Sequence, residues 1–419
     1  MIDTLLVPDR VFDGHTVAER IAVGVAGDRI VYVGPEDAAP AAARRERLEG
    51  VTLLPGLIDM HVHVTSWSVF GFLAAGVTSV RDLGNDVELA ERNLARVPAG
   101  MVPRIHWVGP VLDGPHANWP ALGRAHRTPE EMARSVHELA DRGMRTVKLY
   151  ANVDGASMAA AVRAGAERGI RVVGHNGLKR LCEAAEAGVA ESQHLSGALA
   201  ADLGVEPGPA AIEAFLAIEI DHCPTLVVWE GMSHAGEPRA HRDRGRDWVP
   251  AGVERGWRES HHAGMSSEER AVRLDGLIER MRLVRALRDA GRRIVVGSDA
   301  CFIGLSPGFS LHDEVGLLVQ SGLEPIEALR AVTSGNAKVL GEAGEVGCIA
   351  SGAQADLLAV AGDPTSWIAD LARVEGVWMG GARIDPVALR AAADVEFAQP
   401  LDGAPDLLAR QRFIPAAPH

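Results

Sequence analysis

Lysine is nearly missing from this 419-residue chain: of 42 basic residues only Lys148, Lys179 and Lys338 are lysines, and arginine supplies the rest. Such a chain has little use for lysine as a general surface charge, so a lysine inside an apolar run needs its own explanation, and Lys148 stands in TVKLY. Cysteine is also sparse. Cys182, Cys223, Cys301 and Cys348 show no Cys-x-x-Cys spacing, which fits small buried side chains in a reducing compartment better than disulfides. No run of about 18 uninterrupted apolar residues occurs, so a membrane protein is not indicated. The opening MIDTLLVPDRVFDG lacks a basic segment followed by a long apolar one, so it does not read as a signal peptide, and a cytoplasmic protein is expected. The net charge of -14 works against nucleic-acid binding, which needs a basic patch.

With 47% hydrophobic and 23% charged residues, the chain is long enough for one large domain and a smaller one. Short apolar runs alternate with Ala-, Arg- and Glu-rich stretches of helical period, the pattern of repeated βα units. The runs expected as strands end near His63, Arg81, Gly109, Tyr150, His175, His194, Thr225 and Asp299. Helices are expected over 129–142, with Thr128 as N-cap and Pro129 in the first turn, and over 154–168. Eight such units predict an α/β fold, a (β/α)8 TIM barrel over 56–345, with its active site at the C-terminal strand ends. The doubly wound sheet competes, but no Gly-x-Gly-x-x-Gly follows the first strand. The flanks break the alternation. Residues 1–55, with a hairpin around Gly27-Asp28, and 346–395, with ADLLAVAG and GVWMGGARI, predict a small β-sandwich domain built from both chain ends. The Pro- and Ala-rich tail, 396–419, either wraps the surface, meets a partner subunit of a homo-oligomer, or is disordered.

The stretch GLIDMHVHV ends an apolar run in His-x-His. Alternate residues of a strand share one face, so His61 and His63 point the same way, and as neutral rings they can ligate one divalent cation. Five of the eight expected strands end in a metal-competent residue: DMHVH, TVKLY, VVGHN, ESQHL and VGSDA. Taken singly, His175 and His194 also read as hydrogen-bonded core histidines, Asp299 as a helix cap, and Lys148 as a side chain that snorkels to the rim. A barrel would bring all of them to one end.

In this order, His61-x-His63, Lys148, His175, His194 and Asp299 resemble the ligand set of the metal-dependent amidohydrolase superfamily, in its prolidase-like and imidazolonepropionase-like branch with a binuclear site. The resemblance extends over LLPGLIDMHVH, GVTSVRDLG, CPTL, VGSDA, EALRAVTSGNAKVLG and GCIASGAQADLLAVAGDP, nearly the whole chain. It implies that His61, His63 and Asp299 hold one metal, that His175 and His194 hold a second, and that Lys148, carboxylated on its amine, bridges both. A lysine buried beside cations has a depressed pKa, and a carbamate turns a misplaced positive charge into a bridging anion. Two divalent ions sharing a hydroxide would polarise a scissile carbonyl, with Asp299 collecting the proton for the leaving nitrogen. Zinc is the expected metal, with manganese, cobalt and iron as alternatives.

The substrate, a small molecule, is expected to meet His116, Asn118 and Trp119 in DGPHANWP, together with Tyr150, Asn176 and Trp229. The long insert 227–293 is a candidate lid that carries His234, His241, His261 and His262, the last two not counted as a ligand pair. Three functions follow: a hydrolase of dipeptides or N-acyl amino acids; a cyclic-amide ring opener or deaminase on the same fold; and a non-catalytic binding protein. The missing carboxylate in HNGLKR, behind His175, counts against deamination, and the complete ligand set counts against a binding protein.

Overall fold

The structure, a computed structural model, describes residues 1–175, 181–233, 244–259, 266–302 and 304–399. The apolar runs form short, mostly buried parallel strands, Arg104–Trp107 being half-buried. Leu57–Val62 pairs with Val77–Asp82, which pairs with Arg104–Trp107. A second parallel series runs from Val111–Asp113 through Thr146–Leu149, Arg171–Gly174 and Glu191–Gln193 to Asp221–Cys223. Segment 294–300 joins the two ends of these series. It forms parallel bridges from Ile294 to His222 and from Ala300 to Val62, and its backbone exchanges bonds with both neighbours: Val295 N–H to His222 O at 2.8 Å and Met60 N–H to Val296 O at 3.0 Å. Gly297 is required there, because a Cβ would stand 2.6 Å from the His61 nitrogen.

Helices follow the strands and cover them. Pro129–Asp141 starts at Thr128, whose hydroxyl accepts from Glu131 N–H at 3.3 Å, and Gly155–Arg168 starts at Asp154 and ends on Gly169 in the left-handed region. The insert 227–293 takes in all but the first residue of Leu226–Ser233, then Ala251–Glu259 and the long Ser267–Asp289. Among the described residues no helix is long and apolar enough to cross a membrane.

Strands from 2–55 and 357–383 lie in one mixed eight-stranded sheet, in which Ala42–Pro55 pairs with Ile2–Phe12 on one side and with Leu357–Ala361 on the other, and the tail from 400 onward lies outside the described residues. The hairpin at Gly27-Asp28 joins Ile21–Ala26 to Arg29–Pro35. The sheet has its own apolar core around Leu6, Val23, Leu53, Leu357 and Trp378. The chain then turns helical over Pro386–Phe397, with Asp385 as cap. That helix meets the helices on the parallel strands through Phe397 against Phe70 and Glu396 against Arg96 at 2.8 Å.

Two side chains fasten the first strand to segment 294–300. Asn336, fully buried, donates to Ile58 O at 2.7 Å and Val296 O at 2.8 Å and accepts from Val296 N–H at 3.0 Å. Asp59 accepts from Ser298 N–H at 2.9 Å and from the Ser298 hydroxyl at 2.5 Å. Burial raises the Asp59 carboxyl to about 7.

Candidate metal centre

The strand ends converge on one cluster. His61 Nε2 lies 3.1 Å from Lys148 Nζ and 3.1 Å from Asp299 Oδ1, and His63 Nε2 lies 3.4 Å from the same carboxylate oxygen. The His194 ring is 4.7 Å from that of His61 and 4.9 Å from that of His175. One ligand atom each from His61, His194 and Asp299 falls within 4.8 Å of the others. All six residues expected from the strand ends therefore stand together.

The backbone is bent to achieve this. Among the described residues five non-glycine residues have left-handed φ, and four of them, His194 (63°), Leu195 (51°), Thr225 (45°) and Asp299 (63°), sit at these strand ends. Left-handed backbone is unfavourable for residues with a Cβ and concentrates where function over-determines it. The Asp299 N–H is held by His61 O at 2.6 Å. His63 Nδ1 is held by Gly84 O at 2.9 Å and His194 Nδ1 by the Thr225 hydroxyl at 2.6 Å, which leaves each Nε2 facing inward.

The electrostatics favour a cation. Burial lowers His61 to about 3 and His175 to about 4, and lowers His194 well below its usual value, so the rings are neutral lone-pair donors. Burial opposes ionisation of Asp299, but the neighbouring His61 and His194 and the bonds from His61 and His63 outweigh it and hold the carboxyl well below the usual range. Burial also draws Lys148 down to about 8. His61 Nδ1 and His175 Nδ1 are buried without a hydrogen-bond partner. Neutral imidazoles, one carboxylate and orphaned ring nitrogens fit a divalent cation far better than they fit one another.

The substrate-facing residues divide. Tyr150 stacks its ring 4.7 Å from that of His175 and takes a hydrogen bond from Trp119 Nε1 at 2.7 Å, so this pair borders the cluster. Trp229 reaches it through the backbone, donating to His194 O at 3.0 Å. His116 and Asn118 are exposed and belong to a turn organised by Asp113 and Asn152: Asn152 Nδ2 donates to His116 O at 2.8 Å and to Asn118 Oδ1 at 2.6 Å. Neither side chain hydrogen-bonds a member of the cluster. Asn176, His234, His241, His261 and His262 lie outside the described residues. Thr225, Asp59 and Asn336 were not expected as site residues. Asp59 could have been found, since it stands two positions before His61 on one strand face.

The chain belongs to the amidohydrolase family, whose model matches residues 52–384. An imidazolonepropionase of Saccharopolyspora erythraea is 26% identical over 399 residues, 87% of this chain and 93% of that protein. An imidazolonepropionase of Arthrobacter sp. (strain FB24) is 44% identical over only 50 residues, 12% of each chain. Among solved structures, a bottromycin amidohydrolase superposes with a TM-score of 0.72 at 25% identity, over 95% of this chain and 89% of that one. A Xaa-Pro dipeptidase with bound methionine in its active site gives a TM-score of 0.69 at 20% identity, over 91% and 99%. The protein is a hydrolase of mixed α/β content that acts on carbon–nitrogen bonds, of a family that binds divalent metal.

Proposed function

We propose that the chain hydrolyses the amide bond of a dipeptide or an N-acyl amino acid, at a two-cation site on the rim of a closed (β/α)8 barrel. The observation that carries this reading is the approach of Lys148 Nζ and Asp299 Oδ1 to the same nitrogen of His61, with His175 and His194 beside them. His61, His63 and Asp299 would hold one cation, His175 and His194 the other, and carboxylated Lys148 would bridge them. Barrel closure is supported by the bonding of segment 294–300 to both neighbouring strands, and by the chain continuity of Arg104–Trp107 with Val111–Asp113. The bulged sheet of the chain ends would fold over as the two layers of a sandwich.

Bound there, divalent ions, zinc above all, supply an acidified water and polarise the scissile carbonyl. The protein's own groups do the rest. Lys148, drawn down to about 8, is still mostly a cation near neutral pH but gives up its proton more readily than an ordinary lysine, and its neutral form takes up carbon dioxide with loss of one proton, leaving an anionic carbamate. Asp299, held ionised, accepts the proton of the attacking water and delivers it to the nitrogen as the C–N bond breaks. Tyr150 and Trp119 wall the side next to His175.

Protein loaded with zinc, manganese or cobalt in bicarbonate should turn over members of a library of dipeptides, N-acyl amino acids and cyclic amides, with about two ions per chain by elemental analysis. Active protein with one ion per chain overturns the binuclear site. The full-length likeness to an imidazolonepropionase favours a second reading, cyclic-amide opening, which turnover confined to cyclic members would select.

A further inference from the structure

Arg280, on the Ser267–Asp289 helix, is only 7% exposed. Its guanidinium stacks 3.5 Å from the centroid of the Trp229 ring, and both side chains reach one carbonyl: Trp229 Nε1 donates to His194 O at 3.0 Å and Arg280 Nε at 3.4 Å. A cation thus stands against the backbone of a member of the metal cluster. Nη1 returns to Gly276 O at 3.0 Å, while Nη2 hydrogen-bonds nothing among the described residues.

Burying a guanidinium without a carboxylate is costly. The acids nearby are committed elsewhere: Glu279 accepts from Ala200 N–H at 2.6 Å and Asp202 from Leu199 N–H at 3.1 Å. Among the described residues none forms an ion pair with Arg280. Burial lowers its pKa to about 10, partly offset by Asp202 and Glu279, so it stays charged at neutral pH. The indole fixes the plane of the guanidinium and leaves one edge open, an arrangement suited to a carboxylate.

We propose that Arg280, backed by Trp229, binds the substrate's carboxylate, so that the substrates are amides bearing a free acid one residue from the scissile bond. This rests on the hydrolase reading above. The test pairs each dipeptide or N-acyl amino acid with its carboxamide, in wild type, Arg280→Met and Arg280→Lys. A charge-assisted bond of this kind is worth about 10- to 100-fold in kcat/KM. The acid-over-amide preference of the wild type should fall by that factor in Arg280→Met, mainly through KM, and recover partly in Arg280→Lys. Equal loss on acid and amide, or an unchanged preference, overturns the role of Arg280 and leaves the hydrolase reading standing. If the wild type cleaves no pair, the hydrolase reading fails instead, and calorimetric binding of the N-acyl amino acids and their carboxamides decides Arg280: acid-selective binding lost in Arg280→Met upholds it, and unchanged binding rejects it.

Discussion

Two buried polar clusters share the parallel strands and are built in opposite ways. In the first, Arg81 donates through Nε to Met60 O at 2.8 Å and grips Glu191 with both terminal nitrogens. Glu191 also accepts from Gln193 at 2.6 Å and faces Arg171 at 3.5 Å. Burial would raise its carboxyl, but the two arginines hold it below the usual value. Every charge has an opposite within reach. In the second, Lys148 and the histidines crowd one carboxylate, two ring nitrogens are orphaned, and the backbone is left-handed at its edges. In the first cluster the charges are matched as folded, although Gln193 Oε1 and Arg171 Nε keep no hydrogen-bond partner; the second gathers neutral rings and a lysine around one carboxylate, a donor set that a cation would complete.

The largest expected effect that sharpens this contrast is on turnover. Asp299→Asn keeps size and one ligating oxygen but cannot take a proton, so kcat should drop by about 10² to 10⁴. Metal must be counted in the same preparation, since a lost ion would mimic the result. Nearly full kcat with both ions retained would place the base elsewhere. Next comes a paired stability measurement on metal-free protein by urea unfolding. Arg81→Met strands Glu191 and should cost about 3–5 kcal/mol. Lys148→Met removes a buried cation that no carboxylate fully neutralises and should cost nothing or stabilise. Equal losses would erase the distinction between the clusters.

A smaller effect is expected at the partner of His194. Thr225→Val removes the hydroxyl bound to Nδ1 at 2.6 Å and should weaken metal affinity by about 10- to 100-fold, read by competition with a chelator, while the fold survives. The gentlest effect is on pH. His61 and His222, lowered by burial to about 3, and His175 and His312, lowered to about 4, take up protons more readily when unfolded, so the stability they contribute is present above about 6.5 and lost as pH falls. Asp59 and Glu314, raised by burial to about 7 and about 8, act oppositely and lose their contribution as pH rises through those values. Metal-free protein should therefore be most stable near about pH 6.5, declining on either side by about 1–3 kcal/mol per unit. A monotonic profile in urea unfolding across pH 5–8 would contradict the buried states assigned here.

The strand ends were legible because period-two alternation and apolar runs are local signals. DMHVH and VGSDA announce both a strand and what stands at its end, and the scarcity of lysine singled out Lys148. Other features depend on partners distant in the chain. Arg81 and Glu191 look like ordinary charged residues until the fold makes them meet, and Arg280 is one arginine among several in SEERAVRLDGLIERMRLVRALRD. The helix Pro386–Phe397 escaped notice because the β-like runs before it suggested that the sheet continued. His116 and Asn118 looked chemically apt, yet Asp113 and Asn152 organise their turn at the surface.

The clamp made by Asn336 and Asp59 has a consequence for how the molecule comes into being. Asp59 and Ser298 are 239 positions apart, and Asn336 fastens their two segments from further downstream still. During synthesis, His61 and His63 emerge long before Asp299 and the amide that holds its segment against theirs. Contacts of such sequence separation carry a large closure entropy and form late. A ribosome-bound chain stopped before residue 336 would thus carry all six cluster residues but only the Asp59 half of the clamp on the sixth, so full competence for metal should arrive near the end of translation rather than grow ligand by ligand.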